Sequence, residues 1–165
     1  MDELKSYLDK CFINAILCQY HYEYYNKINY ICMFPLIIGS SILTILNSST
    51  IPDNYLKYLN ISINGLNTII ISLSNNYKLN DRISSYKNLY EKFNKLSHKF
   101  EKLILLNSNL TDDLINEYDN LQNDIIFGFL KSYKIKIINK YGKTRKMPNS
   151  LQLDGDLVLL EVLNA

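Results

Sequence analysis

Charged residues make up 21% of this chain, yet none occurs from Ile28 to Pro52 or from Tyr58 to Tyr77, windows of 25 and 20 positions. A helix needs roughly 20 predominantly apolar residues to cross a hydrocarbon core of ~30 Å. The first window, centred on "ICMFPLIIGSSILTIL", predicts such a helix, with a kink at Pro35 and close helix approach at Gly39, Ser40 and Ser41. The second, "YLNISINGLNTIIISLSNNY", holds Asn60, Asn64, Asn67, Asn75 and Asn76. Lipid cannot satisfy these amides, so it cannot surround that helix on every side. "NSSTIPDNYLK" between the windows predicts a tight turn joining antiparallel helices, with Asp53 or Asn54 as N-cap.

From Leu56 apolar residues fall at 56, 59, 63, 66, 70, 73 and 77, slip at Leu79 and Ile83, and resume as Tyr86, Leu89, Phe93, Leu96, Phe100 and Leu103. Spacings of three and four predict one long helix from about Asn54 to Leu106, rewound where the register changes. Its second half is lysine-rich and is expected outside the membrane. After "NSNLTDD", residues Leu114, Tyr118, Leu121, Ile125 and Phe129 predict another helix that ends near Lys140 and folds back on its predecessor. The fold class is therefore all-α: a two-helix transmembrane hairpin continuing into long cytoplasmic helices, three to four in all. Residues 1–140 form the helical body. Residues 141–165 form a basic linker and a short apolar tail, "DLVLLEVL" at 156–163.

Within the second window Asn60, Asn64, Asn67 and Ser74 recur at helical spacing with Thr68 beside them, opposite Leu59, Ile63, Leu66, Ile70 and Leu73. At membrane depth such a polar face turns to a protein interior or a water-filled path. These five polar residues are the candidates for lining a pore between copies, or for hydrogen-bonding the first span. Ahead of the first window stands the aromatic collar Tyr20, Tyr22, Tyr24, Tyr25 and Tyr30. Rings of this kind gather at lipid headgroup level, and His21 among them reads as an interfacial imidazole. Of the lysines and arginines, three precede the first window, one lies in the loop and fourteen follow the second. That asymmetry places both termini in the cytoplasm.

A net charge of +2 is too small to imply a nucleic-acid partner. Three cysteines, Cys11, Cys18 and Cys32, argue for reduced thiols rather than a disulfide framework. Seven charges of both signs in the first 27 residues argue against a cleavable signal, so a membrane segment is expected to stay in the mature protein. Catalytic candidates dissolve on inspection. "GKT" at 142–144 has Ile137 where a phosphate loop requires glycine. Cys18 and His21 provide too few ligands for a metal, and His98 reads as a helix-surface residue. Asp112 and Asp113 suit the start of a helix. No enzyme, metal or cofactor is expected.

With "KLNDRISSYKNLYEKFNKLSHKFEKLI" and "EYDNLQNDIIFGFLKSYKIK" following a tyrosine-rich entry and a hairpin, residues 10–140 resemble the SLATT family of two-span membrane effectors from conflict systems. The resemblance implies a pore-forming or membrane-perturbing effector acting as a homo-oligomer in the bilayer, with a nucleotide-signalling partner as its trigger. The chain departs from the family in lacking a recognisable sensor domain and in its asparagine-rich second span. A soluble helical-bundle interaction protein and a structural membrane protein without conductance remain alternatives on the same residues.

Overall fold

A computed structural model describes residues 2–48 and 53–151, and over them the protein is all-α. Five helices follow one another: α1 (Asp2–Asn47), α2 (Asp53–Asn76), α3 (Leu79–Leu105), α4 (Asp112–Asn123) and α5 (Lys131–Tyr141), with a 3-10 turn at Asn149–Leu151. α1 runs through Pro35 without interruption. The chain divides into two compact units, one of Tyr22–Ser84 and the other of Met1–His21 with Ser85–Ala165.

The two long helices expected after residue 54 are each broken. The first ends at Asn76, and Lys78 takes a left-handed backbone, φ 48°, before α3 begins. Lys78 N–H donates to the Asn75 carbonyl, and the Lys78 carbonyl accepts from Arg82 N–H. The register slip at Leu79 thus corresponds to a left-handed cap and a restart, not a rewound helix. The second break spans 124–130, where tertiary partners replace the helical ladder. The single Tyr86 Oη–H is shared between the Phe127 and Gly128 carbonyls, each 3.0 Å from the oxygen, and Leu130 N–H donates to His21 Nε2 at 2.7 Å. These bonds satisfy backbone groups that a continuous helix would have paired internally.

The unit of Met1–His21 and Ser85–Ala165 is a helical bundle with a buried aromatic and aliphatic core. Its α3 seam is Tyr86, Leu89, Phe93, Leu96 and Phe100, all buried, and these positions recur at the three–four spacing read in the sequence. Tyr7 of α1 stacks on Phe100 and meets Tyr118 of α4 edge-on, with centroids 5.8 and 5.3 Å apart. Ile13 and Leu17 pack with Ile137 of α5 and with Leu151. Asp9 accepts from Arg145 Nη1 at 2.9 Å, and Ser150 Oγ lies 2.6 Å from Asn14 Oδ1. Residues 141–151 thus pack against this bundle through Arg145, Ser150 and Leu151. The apolar run at 156–163 lies outside the described residues.

Candidate functional site

The unit of Tyr22–Ser84 is a helical hairpin, and its interior follows two heptad rows. On α1 the less exposed positions include Tyr25, Asn29, Cys32, Leu36, Gly39, Leu43 and Leu46; on α2 they are Leu56, Asn60, Ile63, Asn67, Ile70 and Ser74. Both rows alternate steps of three and four, as antiparallel helices do when they share one seam. Cross-seam contacts fix the register. Asn60 Nδ2 donates to Asn47 Oδ1 at 3.2 Å near the turn end. A Cβ added to Gly39 would sit 3.1 Å from Ile63 Cγ2 and 3.2 Å from Asn67 Oδ1, so glycine allows the backbones to approach there. At the other end Arg82 Nη1 donates to Tyr25 Oη at 2.9 Å and Arg82 Nε to the Tyr77 carbonyl at 3.0 Å.

This seam divides the polar face read in the sequence. Asn60, Asn67 and Ser74 lie between the helices, whereas Asn64 and Thr68 are exposed. The apolar row divides as well: Ile63 and Ile70 are on the seam, but Leu59, Leu66 and Leu73 are 42%, 61% and 50% exposed. Two interleaved rows on α2 each have helical period, and α2 alone cannot say which one faces a partner. The deciding signal is the α1 row from Tyr25 to Leu46, whose heptad spacing is masked in the sequence by the uniform hydrophobicity around it. Asn29 Oδ1, on that row, is buried without a hydrogen-bond partner.

The hairpin therefore has a mixed seam, with Asn29, Gly39, Asn60, Asn67 and Ser74 among leucines and isoleucines, and a largely apolar exterior. Seventeen of the twenty exposed large hydrophobic side chains among the described residues lie between Tyr24 and Tyr77. Of the helices described, α1 is long and apolar enough to cross a membrane, and none of its most apolar window is buried. Exposed hydroxyls turn inward to their own backbone. Ser40 Oγ and Ser41 Oγ donate to the Leu36 and Ile37 carbonyls at 2.8 Å, Thr44 Oγ1 to Ser40 at 3.0 Å and Thr68 Oγ1 to Asn64 at 2.8 Å. Such back-bonding gives each hydroxyl a partner within its own helix.

At 3.6 residues per turn the two flanks of the seam differ in chemistry. Ile28, Pro35 and Ile42 of α1 share one flank with Leu59, Leu66 and Leu73 of α2, and that flank is wholly apolar. The other carries Ser40 and Thr44 with Asn64, Thr68 and Asn75, interspersed with Met33, Ile37 and Ile71. Because the helices run antiparallel, like flanks fall on the same face of the hairpin.

The aromatic collar also separates. Tyr30 is 69% and Tyr24 38% exposed, Tyr25 is buried at 9%, and Tyr22 is half-buried. Tyr20 packs in the bundle, 5.6 Å from the Tyr133 ring and under Lys136 Nζ at 4.8 Å. His21 is not interfacial: it is fully buried among Tyr86, Phe129 and Tyr133, with ring centroids 5.0, 5.1 and 5.0 Å away. Its Nδ1 bonds the Leu17 carbonyl at 2.7 Å while Nε2 accepts from Leu130, which fixes a neutral imidazole. Burial lowers its pKa from 6.5, against the Leu17 bond and together with Lys134. Burial likewise pushes the Cys11 thiol up to about 12, so it stays protonated. His98 is exposed and pairs with Glu101 at 2.9 Å. No protein-family model, curated protein or solved structure matches this chain.

Proposed function

We propose that this chain is a multi-pass membrane protein whose α1–α2 hairpin lies in the bilayer, and that several copies assemble there into a pore-forming or membrane-perturbing effector. One observation carries the reading: over their charge-free segments α1 and α2 turn isoleucines and leucines outward and keep Asn60, Asn67 and Ser74 between them. Soluble monomers rarely expose contiguous apolar patches beyond a few hundred Å². Positions 28–47 extend about 30 Å at ~1.5 Å per residue, the thickness of a hydrocarbon core. α2 is less apolar, and lipid contact on its Leu59, Leu66 and Leu73 flank combined with α1 on its seam answers that deficit. The lysine and arginine asymmetry supports cytoplasmic termini.

Oligomerisation follows from the flank bearing Asn64, Thr68 and Asn75. Exposed amides at membrane depth face protein or water, and copies meeting on this flank would surround a polar path with Asn64 and Thr68. Asn60, Asn67 and Ser74 instead hold the hairpin together. The SLATT resemblance supports an effector role with a nucleotide-signalling partner as trigger.

Leakage from vesicles containing the purified chain tests this reading. Asn64→Leu with Thr68→Val is expected to abolish release of a small anionic dye while leaving carbonate-resistant insertion intact. Unchanged leakage removes the polar path. No leakage from the native chain, with insertion retained, favours a structural membrane protein, and a detergent-free monomer in the supernatant favours a soluble interaction protein.

A further inference from the structure

After Asp124 no acidic residue occurs until Asp154, while Lys131, Lys134, Lys136, Lys140, Lys143, Arg145 and Lys146 fall between them. The fold sorts these cations. α5 turns Ile137 into the bundle core with Tyr133 and Tyr141 beside it, and leaves Lys136 and Lys140 exposed, as is Lys143 just past its end. Steps of four and three keep these lysines in one stripe along the flank of that buried face, and Lys146 is exposed beyond it. Arg145 is engaged by Asp9 at 2.9 Å and lies over the Phe12 ring at 4.0 Å. On α3, by contrast, Lys92 pairs with Asp124 at 3.4 Å and Lys99 with Glu117 at 2.6 Å, while acidic Glu91 and Glu101 stand among the remaining lysines. Among the described residues Lys136, Lys140, Lys143 and Lys146 have no carboxylate partner; Lys136 and Lys140 rest on the Tyr20 and Tyr141 rings.

We propose that the Lys136–Lys140–Lys143 stripe docks on the anionic phospholipid headgroups of the bilayer that holds the hairpin. The proposal rests on the membrane reading above, which brings a phosphate-bearing surface into the same assembly. Ammonium groups on flexible stems suit a fluid, laterally mobile array of anions better than a fixed bidentate site. A single-stranded nucleic acid is the poorer fit, because it stacks its bases on open aromatic faces and Tyr133 and Tyr141 are half-buried in the bundle. Each lysine at an anionic surface contributes about a five-fold preference, equivalent to ~1 kcal/mol.

The chain has no tryptophan, so Asn139→Trp places a unique fluorophore on the exposed side of α5. The full-length variant is reconstituted in phosphatidylcholine vesicles with and without phosphatidylserine, and insertion is checked by carbonate extraction in each. With phosphatidylserine the indole is expected to become shielded from iodide and quenched by nitroxide-headgroup lipid. Lys136→Gln, Lys140→Gln and Lys143→Gln together should weaken this docking about a hundred-fold. Arginine at the same three positions should restore it, separating charge from folding. Equal iodide access in both vesicles, with insertion intact, overturns the docking and leaves the hairpin reading standing. Failure to insert in either vesicle overturns both. Stronger shielding by a mixed-sequence oligonucleotide than by phosphatidylserine also overturns it and assigns the stripe to nucleic acid.

Discussion

His21 shows how far a residue's setting can lie from its sequence neighbours. Its place in a tyrosine-rich segment suggested headgroup level, but its cage comes from Tyr86 of α3, from Phe129 and Leu130 of the loop before α5, and from Tyr133 of α5. Nothing within the segment encodes those partners. Because burial depresses its pKa below the unfolded 6.5, the folded state binds fewer protons than the unfolded one. Its contribution is therefore full above pH 6.5 and declines as pH falls from 6.5 through the folded value. Thermal unfolding in mild detergent should show that decline in the native chain and lose this component in His21→Phe. That variant should also be less stable at pH 8 by about 1–3 kcal/mol, since the Leu130 N–H loses its acceptor in a buried site. Gly39 offers the complementary case, a residue whose role was visible as small-residue packing but whose contact was not. Gly39→Leu should separate α1 from α2 at Ile63 and Asn67, at a cost of about 1–3 kcal/mol. Oxidative cross-linking of Asn47→Cys to Asn60→Cys, rapid in the parent, should slow in that background.

At the scale of elements, periodicity located the helices well and their ends poorly. The α3 seam from Tyr86 to Phe100 was legible because a solvated bundle helix hides one row and exposes the rest. The break at 77–78 registered only as a phase slip, since lysine is not a residue that announces a left-handed turn. Lys78→Gly should accordingly raise stability by about 0.5–1 kcal/mol, because glycine takes positive φ without the Cβ penalty; urea denaturation of the full chain in detergent measures it. The break at 124–130 was illegible for another reason. Ile125 and Phe129 continue the helical spacing, but Tyr86 and His21 draw the intervening backbone out of the ladder. In α2 both the amide row and the leucine row were correctly spaced, and only the phase of α1 decides between them. Cross-linking can test that phase: Asn47→Cys should oxidise readily with Asn60→Cys and poorly with Asn64→Cys, whose position is exposed.

For the whole molecule, two units with opposite surface logic share one chain. The bundle buries aromatic and aliphatic side chains and pairs Lys92 and Lys99 with acids at its surface, as a domain in water does. The hairpin keeps Asn60, Asn67 and Ser74 between its helices and turns Ile38, Leu66 and Ile69 outward. An apolar exterior of this kind is what a bilayer as solvent favours, since hydrocarbon tolerates exposed apolar surface and penalises every unpaired amide. The charge-free windows made the hairpin visible in the sequence; its mixed seam and its two unlike flanks required the coordinates.

The central claim is that lipid surrounds the hairpin, and tryptophan depth tests it most directly because the chain supplies no background. Ile38→Trp places the indole on the apolar flank of α1. In phosphatidylcholine vesicles we predict strong quenching by lipids brominated deep in the acyl chain and no quenching by aqueous iodide. Free access of iodide to that residue, with no response to brominated lipid, would contradict the account.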